Sequence, residues 1–392
     1  TELLRYEMPA EIIALWQKLE SPALLPLQER AVKEHGLFAG GNLLVQAPTS
    51  SGKTFIGEMA ALQMALRRKK VVYLVPLKAL AEEKYLDFKE KYAGYGVKVI
   101  VSSRDRREFD RDLEHGNFSI AFVVYEKLAQ LLVRRPERIA DIDLVIADEL
   151  EILSDPERGA MAELLLTRVL RGGRRLIGLS AVIGGAEQLA KWMNASLLCS
   201  DQRPVELRYG VLHEGVFHYR TYNTPGQDKE PFVETCTEAP GEILAENVRV
   251  LAEMGESCLI FVKSKHEARK TARALAEKVD VGAAAAACEA LRAREATRAR
   301  DCLLETLAHG VGFHNADLGP EERRIVETAF RAGEVKVLVS TGTLAAGMNL
   351  PARNVFLTAE KWHYDRDMSV PWKAPLSRNE YENMSGRAGR YG

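Results

Sequence analysis

A chain of 392 residues exceeds one ordinary domain, so two or three are expected. With 46% hydrophobic and 28% charged residues it has the balance of a folded globular protein, and no run approaches the ~20 apolar residues a membrane helix needs. A formal net charge of -1 argues against coating nucleic acid by bulk electrostatics, though not against gripping a strand in one local groove.

The N-terminal Thr1-Glu2-Leu3-Leu4-Arg5 carries no signal-peptide pattern. Cys199, Cys236, Cys258, Cys288 and Cys302 form no C-x-x-C pair, so neither a zinc site nor a disulfide framework is indicated. A cytoplasmic, reducing setting and a monomer are expected.

In chain order, short apolar runs at 42–46, 71–75, 97–101, 120–124, 144–147 and 176–179 each precede a helical pattern. Strands without polar alternation, separated by helices, predict an α/β fold with a parallel sheet covered on both faces. The stretch 200–241 is polar and turn-rich, with alternation at 205–209; it predicts a crossing between two lobes and a β-hairpin on the second. A boundary at 200/201 divides the chain into 1–200 and 201–392. The second lobe repeats the strand theme at 258–262, 335–339 and 354–357, and the five-alanine run 283–287 predicts a helix.

The sharpest chemical signal is Ala47-Pro48-Thr49-Ser50-Ser51-Gly52-Lys53-Thr54, between a predicted strand and a helix starting near Phe55. That context lets backbone N–H groups and a helix N-terminus meet phosphate oxygens. Lys53 would place a charge on the β- and γ-phosphates, and the Thr54 hydroxyl would ligate Mg²⁺. Ala47 stands where the usual pattern has its first glycine. A phosphate loop also needs carboxylates on a neighbouring strand, and Asp148-Glu149 ends the run 144–147. An acidic pair there also suits a helix N-cap. Beside a phosphate loop it reads as Asp148 holding Mg²⁺, mostly through water, and Glu149 activating the attacking water.

The ordered set 47–54, Pro76-Leu77-Lys78-Ala79-Leu80, Tyr125-Glu126-Lys127, Asp148-Glu149-Leu150-Glu151, Ser180-Ala181-Val182 and Ser385-Gly386-Arg387-Ala388-Gly389-Arg390 resembles superfamily 2 helicases of the DExH class. Within these it is most similar to the Ski-type branch, which includes archaeal DNA-repair helicases. The resemblance implies two tandem RecA-like domains with a nucleotide cleft between them. It implies an ATP-dependent motor on single-stranded or forked DNA, moving 3′ to 5′, in repair or replication-fork processing beside proteins of those pathways. A Ski-type RNA helicase and an ATP-switched clamp that does not unwind processively are the alternatives.

The same resemblance assigns roles. Gln28 would read adenine, Arg387 and Arg390 would act as arginine fingers, and Gly347 and Asn349 would face the nucleotide. Pro76, Leu77, Lys78, Tyr125, Lys127, Ser264, Lys265 and Thr341 would line the strand track, where hydroxyls and lysines grip phosphates with little sequence preference. Ski-type DNA helicases place a strand-separating hairpin in the interval 359–376. Trp362 and Tyr364 there would either stack on the opening base pair or pack inside the lobe.

Three positions depart from the pattern: Glu151 replaces histidine, Val182 the threonine of S-A-T, and Asn383 a glutamine. With Ser180 and Ala181 they belong to the layer coupling phosphate to strand, so hydrolysis is expected to survive with altered coupling. Relatives of this kind carry a winged helix and a helical ratchet beyond the position of Arg390, so the chain is expected to be a motor core.

Overall fold

The computed structural model describes residues 3–49, 51–103, 108–181, 184–224, 226–233, 239–342, 350–358, 360–363 and 372–389, with 361–363, 372 and 379 described by backbone alone. The chain divides into two compact units, Thr1–Gln202 and Arg203–Gly392.

The first unit is built on seven strands: β1 (Asn42–Gln46), β2 (Val71–Val75), β3 (Val99–Ser102), β4 (Ile120–Val124), β5 (Leu144–Ala147), β6 (Arg175–Ser180) and β7 (Ala195–Cys199). They pair in the order β3-β4-β2-β5-β6-β1-β7, and every pairing is parallel. Around them run α1 (Ala10–Leu19), α2 (Pro26–Lys33), α3 (Lys53–Leu66), α4 (Lys78–Tyr92), α5 (Asp110–His115), α6 (Tyr125–Arg134), α7 (Gly159–Arg171) and α8 (Ala186–Met193).

Successive strand residues serve opposite faces, because side chains alternate across the pleat. Leu43, Val45, Tyr73 and Val75 pack with Ile12, Trp16, Leu27, Ile56 and Tyr85 from α1 to α4. Leu44, Val72 and Leu74 pack with Leu128, Leu166 and Met193 from α6, α7 and α8. Both faces are thus covered, which is why these strands read as unbroken apolar runs. Parallel pairing also sends the C-terminal ends of β1, β2, β4, β5 and β6 to one edge of the sheet, where α/β proteins build their sites.

The second unit opens with an antiparallel sheet of β8 (Arg208–His213), β9 (Val216–Thr221) and β10 (Gln227–Pro231), three strands where a hairpin was expected. Its parallel sheet comprises β11 (Cys258–Val262), β12 (Val311–His314), β13 (Val337–Thr341) and β14 (Asn354–Leu357), in the order β12-β13-β11-β14 around one core. The interval singled out as a hairpin holds the antiparallel ribbon of β15 (Glu360–His363) and β16 (Trp372–Pro375), with Trp362 opposite Lys373. Besides the third strand of the β8–β10 antiparallel sheet, β7 and β12 were absent from the sequence reading. The alanine run is helical only from Ala285, where the helix Ala285–Arg292 starts. Among the described residues no helix is long and apolar enough to cross a membrane.

One buried network in the first unit carries a pH signature. Glu58 of α3 is 5% exposed; it accepts from the Tyr92 hydroxyl, which in turn accepts from Trp16 Nε1 at 2.6 Å. Burial pushes the Glu58 carboxyl up from 4.5 to about 7, against the pull of Lys91 3.5 Å away and of the Tyr92 hydrogen bond. The folded chain therefore holds a proton that the unfolded chain has lost, so stability falls as pH rises from 4.5 to about 7. Glu58→Gln keeps an acceptor for Tyr92 without the charge. It is expected to flatten this dependence and to gain of the order of 3 kcal/mol over wild type above that window. Urea melts across pH 5 to 8 check it; parallel curves for the two proteins would refute the assignment.

Candidate nucleotide and nucleic-acid site

The loop after β1 is shaped by two residues. Gly52 adopts φ +83° at the N-cap of α3, a left-handed conformation that glycine takes without strain. Lys53, the first helical residue, is 6% exposed, and its Nζ donates to the Ala47 carbonyl at 3.2 Å. The lysine is thereby folded back over its own loop. Ser51 is 4% exposed, its Oγ is buried, and no described residue hydrogen-bonds it. Thr54 is exposed on the first turn of α3, and Thr49 is half-buried.

Gln28 reaches the same loop from α2. Its Oε1 accepts from Leu25 N at 2.9 Å and its Nε2 donates to the Gly52 carbonyl at 3.3 Å. The amide is thus oriented by the helix start on one side and by the phosphate-loop backbone on the other.

At the end of β5, Asp148 is 3% exposed and held on every side. Its N–H donates to the Leu74 carbonyl at 3.0 Å, and its carbonyl accepts from Tyr125 Oη at 2.8 Å. Oδ1 accepts from Glu149 N at 3.1 Å; Oδ2 accepts from Tyr73 Oη at 3.3 Å and pairs with Lys84 Nζ at 3.3 Å. Lys84 Nζ also lies 4.9 Å from the centre of the Tyr73 ring. Burial, reinforced by Asp148, pushes the Tyr73 hydroxyl well up, so it stays a donor to the carboxylate. The next residue, Glu149, has φ +53°, a conformation that costs a side-chain-bearing residue of order 1–2 kcal/mol. The strand ends and the chain turns sharply there, which presents Glu149 half-buried at the sheet edge.

Glu151 follows on the 3-10 turn Leu150–Ser154. Its Oε1 accepts from Ser180 Oγ at 3.0 Å and from Ala181 N, while its Oε2 is buried with no hydrogen-bond partner among the described residues. The carboxylate therefore reverses the polarity of the expected histidine: it receives where an imidazole would give. Val182 lies outside the described residues.

The segments expected to face a strand follow β2 and β4. Pro76 and Leu77 are half-buried and Lys78 is exposed at the start of α4. Tyr125 corrects the sequence reading, because its side chain is fully buried and its hydroxyl is committed to the Asp148 carbonyl. It props the acidic segment. Lys127 pairs with Asp110 at 2.7 Å.

In the second unit, Ser264 caps the helix Lys265–Ala276 by accepting from Glu267 N at 3.1 Å, and Lys265 pairs with Asp317 at 2.9 Å. Exposed pairs of this kind are weak enough to exchange for phosphate. Thr341 ends β13 and is 7% exposed. Arg387 is buried on a turn anchored by Ala352: Ala352 N donates to the Arg387 carbonyl at 3.1 Å and Gly389 N to the Ala352 carbonyl at 3.0 Å. Asn383 is half-buried on the helix Arg378–Ser385. Ser50, Gly347, Asn349, Tyr364 and Arg390 lie outside the described residues, and Trp362 is described by backbone alone.

Residues 25–189, spanning Gln28 to the segment after Ser180, match the family DEAD/DEAH box helicase, and residues 241–392 match the family helicase conserved C-terminal domain. The chain belongs to the superfamily 2 helicases. It is similar to the ATP-dependent DNA helicase Hel308 of Pyrobaculum calidifontis, 38% identical over 400 residues that cover 100% of this chain and 54% of that protein. The proteins of the same name from Caldivirga maquilingensis and Pyrococcus abyssi are 38% and 37% identical, each over 94% of this chain and 48% and 49% of their own. The chain thus spans about half the length of the curated relatives it matches.

Sequence reasoning missed four supporting residues of this helicase core. Lys84 and Tyr73 fix Asp148, as described. Arg203, 5% exposed, donates to the Ala388 carbonyl at 2.8 Å and to the Gly386 carbonyl at 3.4 Å, so it braces the turn that carries Arg387. Arg158 bridges two segments of the expected strand track. None belongs to a motif, and only the weak D-x-x-R-G pattern at 155–159 could have drawn attention to one of them.

Proposed function

We propose that the chain is the motor part of an ATP-dependent helicase that moves along single-stranded DNA, 3′ to 5′, in repair or replication-fork processing. The observation that carries the nucleotide half is the buried Ser51 hydroxyl, which has no hydrogen-bond partner among the described residues and immediately precedes left-handed Gly52 and Lys53. A site that leaves a buried polar atom unsatisfied at a helix N-terminus suits an anionic ligand. The donor set Thr49, Ser50, Ser51, Gly52, Lys53 and Thr54 fits a triphosphate, with Gln28 positioned to read its base. Thr54 and Asp148 fit the hard oxygen ligation that Mg²⁺ favours, and bound Mg²⁺ would supply charge neutralisation of the phosphates.

Within that arrangement Lys53 neutralises phosphate charge, and Glu149 orients and deprotonates the attacking water. Arg387 and Arg390 meet the charge that develops at the transferred group, a contribution of roughly 10³–10⁵ in rate in related enzymes. Gly347 and Asn349 are assigned to the same nucleotide by the motif they belong to. Lys78, Lys127, Ser264, Lys265, Thr341 and the Leu77 N–H grip the strand through its phosphates, with Pro76 beside them on the track; the ribbon β15–β16 parts the duplex, with Trp362 and Tyr364 assigned to the opening base pair.

The relatives' printed name, ATP-dependent DNA helicase, supports DNA as the substrate. In this reading the chain works in the cytoplasm as a monomer, beside repair or replication proteins. The test is ATP turnover against single-stranded DNA and RNA of matched sequence, at one stated salt concentration because phosphate contacts are screened. Stimulation by DNA of about tenfold or more over the strand-free rate is expected, with RNA weaker. Equal stimulation by RNA would overturn the DNA assignment; none by either would sink the motor reading.

A further inference from the structure

Arg158 stands outside every motif, yet its guanidinium joins three parts of the first unit. One terminal nitrogen donates to the Pro76 carbonyl at 2.6 Å, and Nε donates to Glu126 Oε1 at 2.7 Å. Pro76 opens the segment after β2, and Glu126 sits between Tyr125 and Lys127 after β4. These strands are direct neighbours. One planar cation therefore sets the distance between the two segments assigned to the strand track, as only a fork-shaped donor can.

The base on which Arg158 stands is rigid. Asp155 Oδ1 accepts from Glu157 N at 2.9 Å and from Arg158 N at 3.0 Å, and Gly159 N donates to the Asp155 carbonyl at 2.8 Å. At Gly159 a Cβ would come within 2.5 Å of the Leu153 carbonyl oxygen, so the backbone of the turn lies directly against the 3-10 segment Leu150–Ser154. That segment directly follows Asp148 and Glu149. The acidic segment and the turn that carries Arg158 are thus in direct contact through Leu153 and Gly159.

We propose that Arg158 is a positioning residue for strand binding: it holds the Pro76 and Tyr125–Lys127 segments at the spacing a nucleic-acid strand requires, and ties that spacing to the acidic segment of the nucleotide site. The inference rests on the motor reading above. It differs in naming a residue that touches neither nucleotide nor strand but governs how one reports on the other.

The experiment compares wild type, Arg158→Ala and Arg158→Lys in the full 392-residue chain. Binding of a fluorescein-labelled oligothymidylate is followed by anisotropy, ATP turnover is measured with and without the strand, and melting is followed by circular dichroism. Arg158→Ala is expected to weaken the strand about tenfold and to raise the strand concentration for half-maximal stimulation by the same factor, with strand-free turnover within about twofold of wild type. Arg158→Lys should fail to rescue, because one ammonium nitrogen cannot occupy the separate places of Nε and the terminal nitrogen that reach the two acceptors. In a double-mutant cycle, Glu126→Ala should add little to Arg158→Ala.

A purely structural role would instead lower strand-free turnover and melting temperature in step with strand affinity, and that result overturns the proposal. So does strand affinity unchanged in Arg158→Ala while wild-type turnover responds to the strand. Wild type that shows no response to any strand overturns the motor reading itself, and this inference with it.

Discussion

Lys53→Ala is expected to lower ATP turnover by about a thousandfold, roughly 4 kcal/mol of transition-state stabilisation, while leaving the fold in place. The argument rests on where the ammonium is held. Lys53 is 6% exposed and its Nζ is tethered to the Ala47 carbonyl at 3.2 Å, which leaves two N–H groups to meet an anion inside a loop shaped by left-handed Gly52. Such a charge is pre-oriented and partly desolvated, so it is worth more than a lysine in water. Truncation removes it and leaves a carbonyl that a water can satisfy at small structural cost. Melting within a few degrees of wild type would show that the fold is spared. Glu149→Gln is the companion variant. It should lose turnover comparably while a fluorescent ATP analogue still binds, because its amide cannot take the proton of the attacking water. Turnover in Lys53→Ala within about tenfold of wild type would remove the phosphate loop from the chemistry.

What the sequence disclosed follows from which forces act locally. β1, β2, β4, β5 and β11 are apolar runs packed from both sides, and each is evident from composition alone. β7 was silent because Ala195–Cys199 lies at the sheet edge with most residues partly exposed. β12 was silent because Val-Gly-Phe-His at 311–314 mixes a glycine and a histidine into a buried strand. The motif loops were legible because the chemistry they serve needs a strand, a turn and a helix in immediate succession.

The braces were illegible for the opposite reason. Arg158 and Pro76 are 82 positions apart, and Arg203 and Ala388 are 185 apart; no periodicity or propensity speaks across such distances. Tyr125 shows the same limit in reverse. Its place after a strand suggested an exposed contact, but burial of β4 and the pull of the Asp148 carbonyl carry the ring inward.

Glu151 is where sequence and structure together sharpen an expectation. The pattern expects a histidine that donates, and the position is filled by a carboxylate that accepts from both Ser180 Oγ and Ala181 N. Glu151→Gln keeps a carbonyl oxygen at this point, so both contacts survive and stability should hold. Glu151→His offers one acceptor nitrogen for two buried donors, leaving one unsatisfied at a cost of about 1–3 kcal/mol. Because these donors lie at the end of β6 and just beyond it, and the acceptor lies two residues after Glu149, the loss falls on the link between nucleotide and strand. Basal turnover is expected to survive in Glu151→His, while ATP consumed per base pair opened rises about fivefold over wild type; Glu151→Gln should stay within about twofold. The ratio comes from phosphate release and duplex separation followed in one sample. If Glu151→His consumes the same ATP per base pair as wild type despite a lowered melting temperature, the 151–180–181 contact holds the fold alone and carries no coupling.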